Sequence, residues 1–552
     1  MNLDSNNQYY VRLRKIGFKN FRNIENSSVE IPNSSMKDYL DESPSILGLY
    51  GQNGSGKSSV IMALGILKTL LSGGQLDKGY SSCVQEGHER CTLNFEFSIF
   101  SKLYDEETVL GQSIEDSYCY NVSYEFDIKR ASEPLLDKSY DTPYKPISVL
   151  VVENEVLKYR ITSPDNKKVY MHKQVFIDTK SFQTKKKKIL FGSDFKERIY
   201  TAFNPSIALK YRDNLATAAT TSRSFIFSPN TLNLIQDSLQ EVFWNDPSIS
   251  AVLDDMNSKI LQAESMSEID SYLDIPFEEA WQNGMFWYKM YGDTLTPYRI
   301  VRSLFNYGLV YLHVIDTATT GVTNINRHLP LHLWTNEDGK IAFSQFMLNL
   351  DGPTNVPENA LEYIKRALTG VGNVLEKIVP GMKLGFIDYG VESFDSKSAE
   401  HLFELTSIRD GVTIPLQYES DGIRRIVSIL SLLIAVYNDK SFTIAIDELD
   451  SGIFEYLLGE LLAIMGDSIK GQLVFTSHNL RPLEVLPSKF IYFTTTNQKN
   501  RFIKIPNRGN SNLRDNYYRS IILNTQKESV YAPTDRYDIE LALYRAGRGQ
   551  DE

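Results

Sequence analysis

The sequence predicts an α/β fold organised around a phosphate-binding loop, and three observations carry that prediction. An apolar run, Leu47–Tyr50, enters Gly51-Gln52-Asn53-Gly54-Ser55-Gly56-Lys57-Ser58, a G-x-x-x-x-G-K-S pattern. Val60, Ile61, Ala63, Leu64, Ile66, Leu67, Leu70 and Leu71 then recur at helical spacing until Gly73-Gly74 ends the run. Far along the chain, a second apolar run, Phe442–Ile446, ends in two adjacent carboxylates, Asp447 and Glu448.

The loop has a physical logic. Gly51, Gly54 and Gly56 let the backbone turn where a side chain would clash, so that its N–H groups converge with the N-terminus of the next helix on one anion site. Lys57 adds a point charge for the β- and γ-phosphates, and Ser58 offers a hydroxyl to Mg²⁺. Asn53, Ser55 and Ser59 complete the expected nucleotide-facing set. ATP and Mg²⁺ are therefore the expected ligands.

Composition sets the bounds. A chain of 552 residues is too long for one core, so two or three compact units are expected. The net charge of −11 gives no bulk reason to bind nucleic acid, and any such contact must be a local patch. Cys83, Cys91 and Cys119 lack metal-ligand spacing and read as reduced thiols. The first residues are polar rather than a signal peptide, and the most apolar stretch, Ile426–Val436, is about half the length of a membrane span. These features predict a soluble cytoplasmic protein with no membrane partner.

Taken in order, Val11–Phe18 and Ser28–Ile31 read as strands joined through Lys19-Asn20-Phe21-Arg22-Asn23. Arg22, just upstream of the loop strand, is a candidate second cation for the phosphates. From Thr92 to Phe176 the apolar residues alternate, which predicts three or four antiparallel strands. The run Lys185–Lys188 reads as a solvated loop. Candidate helices follow at Phe195–Phe203, Leu232–Phe243, Ile249–Leu261, Pro297–Thr317 and Ala360–Ile378, without a sustained heptad. Strands return at Leu384–Asp388, His401–Ser407 and Val412–Leu416, with Arg409-Asp410-Gly411 as a hairpin turn.

Ser420-Asp421-Gly422 then opens an apolar helix, Ile426–Tyr437, and is both a good N-cap and an anion site. At the end of the Phe442–Ile446 strand, Asp447 is placed to hold the Mg²⁺ shell and Glu448 to activate the attacking water. After a helix, Phe454–Met465, the strand Gln472–Thr476 ends in Ser477-His478-Asn479, where His478 is a candidate γ-phosphate sensor. A strand at Phe490–Phe493 and a tail rich in Asn, Arg and Tyr complete the chain, with a short helix near Ile539–Ala546.

Asp447 lies about 390 positions after Lys57, far more than a compact GTPase or AAA+ module allows. With Ser420-Asp421-Gly422 before the carboxylates and His478 after them, this order resembles the ABC-type ATPase heads of the SMC/RecF/OLD class. Ile16–Asn23 resembles the opening of those proteins, which implies that Arg22 and Asn23 approach the nucleotide. Ser420-Asp421-Gly422 matches the signature position but departs from the usual Leu-Ser-Gly-Gly. The resemblance implies a two-lobed head: an N-terminal lobe over 1–190 with an antiparallel β subdomain, a mainly helical insertion over 191–382, a C-terminal lobe over 383–495, and a tail over 496–552. It also implies a homodimer, or a higher assembly, that sandwiches ATP between two heads.

Within that class, Ala445–Ile453, Phe475–Asn479 and Asn512–Ser520 resemble the PtuA ATPases of Septu and retron-linked anti-phage defence. That narrower resemblance implies a PtuB-like HNH nuclease partner and, in the retron form, a reverse transcriptase with its RNA–DNA hybrid. Two other readings stay open at this point, a RecF-like DNA-repair ATPase and a self-contained toxin resembling the anticodon nucleases. The second needs a cutting site that the tail after His478 does not offer.

Overall fold

The computed structural model describes residues 9–101, 119–136, 146–163, 167, 169–179, 213–235 except 216 and 219, 299–316, 328–337, 340–392, 400–506, 512–523, 526–532 and 534–546. In chain order, β1 (Tyr9–Phe21) and β2 (Ile24–Glu30) form a hairpin, and β3 (Ser45–Tyr50) leads through the glycine loop into helix α1 (Lys57–Leu71). Four long strands follow: β4 (Arg90–Ser101), β5 (Cys119–Leu136), β6 (Pro146–Thr162) and β7 (Val169–Asp178). A helix over 299–306 passes through a π-helical turn, Tyr307–Tyr311, into β8 (Leu312–Ile315). Then come β9 (His328–Glu337), β10 (Lys340–Asn349), β11 (Thr354–Pro357), α2 (Glu358–Ile378), β12 (Lys383–Glu392), β13 (Glu400–Arg409) and β14 (Val412–Pro415). The last part holds α3 (Asp421–Asn438), β15 (Thr443–Ile446), α4 (Glu455–Ser468), β16 (Gln472–Thr476), β17 (Ile491–Thr494), β18 (Phe502–Ile503), α5 (Leu513–Leu523) and α6 (Arg536–Ala546).

Two six-stranded sheets dominate. One is antiparallel, in the order β2-β1-β4-β5-β6-β7. Its alternation buries Leu13, Ile16 and Phe18, then Leu93, Phe95 and Phe97, then Val122, Tyr124 and Phe126 on one face. The other has the order β18-β17-β3-β16-β15-β8 and is parallel except at β18. Here β3, β15 and β16 are buried at every position, as a sheet covered on both faces requires. A smaller antiparallel sheet, β11-β13-β12 with β14 on β13, and the β9–β10 hairpin stand apart from both.

A buried amide joins the large sheets. Gln472, at the start of β16, accepts from the Leu13 N–H at 2.8 Å and donates to the Leu13 carbonyl at 2.9 Å, so its side chain serves as a missing ladder partner for β1. Beside it, buried Arg12 donates to the Lys470 carbonyl at 3.1 Å. Burial lowers the Arg12 pKa to about 10.

The strands expected from Thr92 to Phe176 are four, β4 to β7, and the Asp410-Gly411 turn has the positive φ angles, 48° and 79°, of a tight hairpin. Strand β3 is hydrogen-bonded between β16 and β17, so residues 1–190 and 383–495 contribute strands to one sheet. Two expectations change. The helix expected over Pro297–Thr317 ends early, and Leu312–Ile315 is a parallel edge strand on β15. The region 191–382 also supplies strands β8 to β11 besides its helices. The candidate helices Phe195–Phe203 and Ile249–Leu261, and the run Lys185–Lys188, lie outside the described residues; Leu232–Phe243 is described, as helix, only to 235. All three cysteines are free and buried. Among the described residues no helix is long and apolar enough to cross a membrane.

Candidate active site

The sequence brings its polar motifs to one place because β3, β15 and β16 are parallel neighbours whose C-terminal ends open on the same edge. Gly51, Gly54 and Gly56 have φ of 147°, 73° and 101°, all in the range that glycine tolerates. Gly51 has a second reason to lack a side chain, since a Cβ there would overlap Thr494 Oγ1. Thr494 Oγ1 also pairs with Ser55 Oγ and donates to the Tyr50 carbonyl at 3.1 Å, which pins the loop to the end of β17.

Lys57 is 5% exposed and folds back over the loop, donating to the carbonyls of Gly51 at 2.8 Å and Gln52 at 3.1 Å. Burial lowers its pKa to about 8, and nearby Asp447, Glu448 and Asp450 offset only part of that penalty. The head of α1 is therefore a positive, partly desolvated site that gains from an incoming anion.

Ser58 and Asp447 meet there. Ser58 Oγ donates to Asp447 Oδ1 at 3.1 Å, and Thr476 Oγ1 donates to the same oxygen at 2.6 Å. Thr476 also accepts from the Glu448 N–H at 2.8 Å, while Arg425 on α3 reaches the carbonyls of Asp447 and Glu448 at 3.2 and 3.4 Å. Glu448 sits at φ 48°, held in the left-handed region by those contacts. The hydroxyl of Ser58 and the carboxylate of Asp447 are the hard oxygen donors that Mg²⁺ takes, and they already touch.

The expected residues divide into those the fold joins to the loop and those it does not. Asn23 lies on the loop: its amide donates to the Gly54 carbonyl and accepts from Ser59 Oγ at 3.4 Å. Among the described residues Arg22, at φ 52°, makes no side-chain hydrogen bond or ion pair, and Arg501 instead packs its stem on Gly56 while donating to the Asn23 and Thr495 carbonyls. Asn53 and Gly54 are exposed at the tip. His478 is exposed at the end of β16. Its loop is fixed by Asp450, whose Oδ2 accepts from the His478 and Asn479 N–H groups at 3.0 and 2.9 Å.

Ser420 caps α3, its Oγ accepting from the Ile423 N–H at 3.4 Å, and Asp421 pairs with Arg424. Gly422 approaches Gly452 so closely that a Cβ would lie about 2.5 Å from the Gly452 carbonyl oxygen. This contact ties the start of α3 to the loop after the carboxylates. No hydrogen bond or ion pair joins Ser420, Asp421 or Gly422 to residues 51–59. Ser420 and Asp421 face outward, beside exposed Tyr418 and Phe454.

Sequence reasoning missed Thr476, Arg425, Asp450, Thr494 and Arg501. Asp450, three residues after Asp447, carried the clearest signal. A third carboxylate so close to a strand end needs donors, and the N–H groups after β16 supply them.

No protein-family model and no curated protein matches the chain. Solved structures similar to it include the Smc head domain of Pyrococcus furiosus with an extended coiled coil, bound to the C-terminal domain of ScpA. It is 10% identical over 89% of this chain and 96% of that one, with a TM-score of 0.32. The Smc head of Pyrococcus yayanosii gives 10%, 90%, 97% and 0.32 for the same measures. RecF with ATP, the recombination mediator of the RecFOR pathway, gives 12%, 85%, 92% and 0.28.

Proposed function

We propose that this chain is an ABC-type ATPase that binds Mg²⁺–ATP at residues 51–59 and hydrolyses it between two copies. The observation that carries the reading is the Ser58–Asp447 hydrogen bond, which unites residues 389 positions apart at the mouth of a buried, positively charged loop. Lys57 and the loop amides hold the phosphates, Ser58 and Asp447 hold the metal, and Glu448 orients the attacking water. Turning from the Gly51 and Gln52 carbonyls to a phosphate, Lys57 exchanges neutral acceptors for charged ones.

The shared site follows from what the chain leaves facing outward. Ser420 and Asp421 start a long helix away from their own loop, and Tyr418 and Phe454 are 73% and 75% exposed beside them. Apolar rings at a helix N-terminus suit a surface that a second copy covers. His478 is exposed in the same way, ready to meet the γ-phosphate.

In the cell, the ATPase serves a Septu or retron type of anti-phage defence and controls a separate HNH nuclease, with a reverse transcriptase and its RNA–DNA hybrid in the retron form. The likeness of Ala445–Ile453, Phe475–Asn479 and Asn512–Ser520 to PtuA supports this. The outer face of α5 is the preferred docking surface. Tyr517 stacks on Phe493 at 4.6 Å and belongs to the core, which leaves Tyr518, Ile522 and Leu523 exposed.

The test mixes two inactive proteins. Ser420→Arg keeps its own loop and binds ATP but does not turn it over; Lys57→Ala does not bind. A mixed dimer has one site with both defects and one with neither, so part of the activity returns on mixing. Absence of rescue despite verified subunit exchange contradicts the shared site. Robust cleavage of plasmid, single-stranded DNA or tRNA by the purified chain alone, lost on mutating a residue outside the ATP site, contradicts the separate nuclease.

A further inference from the structure

The wet face of the antiparallel sheet is not uniform. At one end it is an ordinary solvated surface in which charges find partners. Arg90 pairs with Glu153 at 2.9 Å and lies 3.7 Å from Asp127, which also accepts from Thr92 and Asn154, while Asn94 donates to Glu125 at 3.0 Å. At the other end lies a cavity of about 370 Å³ lined by Arg14, Lys158, Arg160, His172 and Lys173, with Glu96 as the only carboxylate among the described residues that line it. Glu96 stands across from Lys15 in the β1–β4 register, Lys15 itself pairs with Glu30 at 3.3 Å, and among the described residues Glu96 forms no ion pair with the cavity cations. Among the described residues, no carboxylate lies within ion-pair distance of Arg14, Lys158, Arg160 or Lys173.

The cavity is also built. Arg14 sits at the β-bulge between Leu13 and Lys15, which turns its side chain onto the wet face. Its Nη1 donates to Asn121 Oδ1 at 2.6 Å, and buried Asn121 is itself anchored by donating to Thr162 Oγ1 at 2.7 Å. The guanidinium is thereby oriented, with further N–H groups left over. Leu13 on β1 pairs with Phe97 on β4, Phe97 with Val122 on β5, Val122 with Tyr159 on β6, and Tyr159 with Gln174 on β7, so Arg14, the Lys158 and Arg160 that flank Tyr159 on β6, and Lys173 fall in a band across the strands. From β1 to β7 the band crosses four inter-strand spacings, roughly 19 Å, too long for a single phosphate to satisfy. In a chain of net charge −11, an unpaired band of cations opposes both self-neutralisation and the overall bias.

We propose that this band is a second anion site, separate from the glycine loop, which binds the phosphate esters of a nucleic-acid strand laid across β1, β5, β6 and β7. Arg14 grips one phosphate through its free N–H groups, and Lys158, Arg160 and Lys173 follow the backbone.

The test is fluorescence anisotropy of a labelled 20-mer of oligodeoxythymidylate, titrated at several salt concentrations with Lys57→Ala protein so that the glycine loop takes no phosphate. Four contacts predict a log–log salt slope of about −3, a loss of about 50-fold in affinity from 50 to 200 mM salt. Lys158→Ala with Arg160→Ala reduces the slope by about 1.4. Lys173→Glu on the edge strand weakens binding independently, should the double variant fold poorly. Inorganic tripolyphosphate as competitor separates the sources. Binding of tripolyphosphate but not of the 20-mer, lost in both variants, keeps the anion site and assigns it to a free phosphorylated molecule. No binding of either probe, or binding that both variants leave unchanged, overturns the site.

Discussion

The two large sheets each have six strands, yet they carry chemistry differently. In the parallel sheet the strands run from two to six residues, and β3, β15 and β16 are buried throughout. Polar side chains there are tolerated mainly where a strand ends, so Ser55, Lys57, Ser58, Asp447, Glu448 and Thr476 collect at one edge. In the antiparallel sheet the strands run from seven to eighteen residues with one wet face, so a polar residue is permitted at every second position. Burial on both sides concentrates function into short sequence motifs, whereas burial on one side spreads it among residues that look alike.

The contrast can be broken first at the junction of the sheets. Gln472→Leu leaves the buried N–H and carbonyl of Leu13 without partners, and a loss of about 4 kcal/mol is expected in chemical denaturation. A loss under about 1 kcal/mol would mean that the sheets are held by apolar packing alone.

Paired glycine variants sharpen it. Gly51→Ala forces a Cβ into Thr494 Oγ1 at a φ of 147°, and should cost about 3 kcal/mol of stability and abolish nucleotide binding. Gly17→Ala, on the wet face of β1, meets only Asn94, its Cβ at 3.5 Å and its carbonyl oxygen at 3.7 Å, both ordinary contacts, and should change stability by less than about 0.5 kcal/mol. Thermal melts compare them directly. Equal effects would remove the distinction between a close-packed edge and a solvated face.

The smallest effect is one of pH. The Lys57 pKa in the ligand-free fold is about 8, against 10.5 for a free lysine. Folding therefore sheds a proton between those values, and the penalty for burying the ammonium, full below pH 8, is relieved as pH rises towards 10.5. Phosphates favour the charged form, so nucleotide binding takes up a proton above pH 8. Affinity is expected to fall about fivefold from pH 8 to pH 9, with heats in calorimetry that depend on the buffer's ionisation enthalpy. A flat profile would show that Lys57 stays fully charged without ligand.

The parallel sheet and its edge were largely legible because motif, strand and helix coincide. Strand β8 was not, since Leu309–Ile315 is an apolar run interrupted only by His313 that suits a buried helix or strand equally, and only its neighbour β15 decides. Thr476 was hidden because threonine is an ordinary strand residue. Its hydroxyl becomes special only when the parallel register sets it beside Asp447. The cations of the wet face were equally hidden, because pairing across β1, β5, β6 and β7 depends on register and on the bulge at Arg14.

The central claim is that Asp447 and Glu448 complete a catalytic ATP site with the glycine loop. Steady-state ATP turnover by Glu448→Gln, with bound nucleotide quantified on the same protein, tests it most directly. The expected result is retained ATP binding with turnover reduced by about 10²–10⁴-fold, because only activation of water is lost. Turnover at the wild-type rate would contradict it.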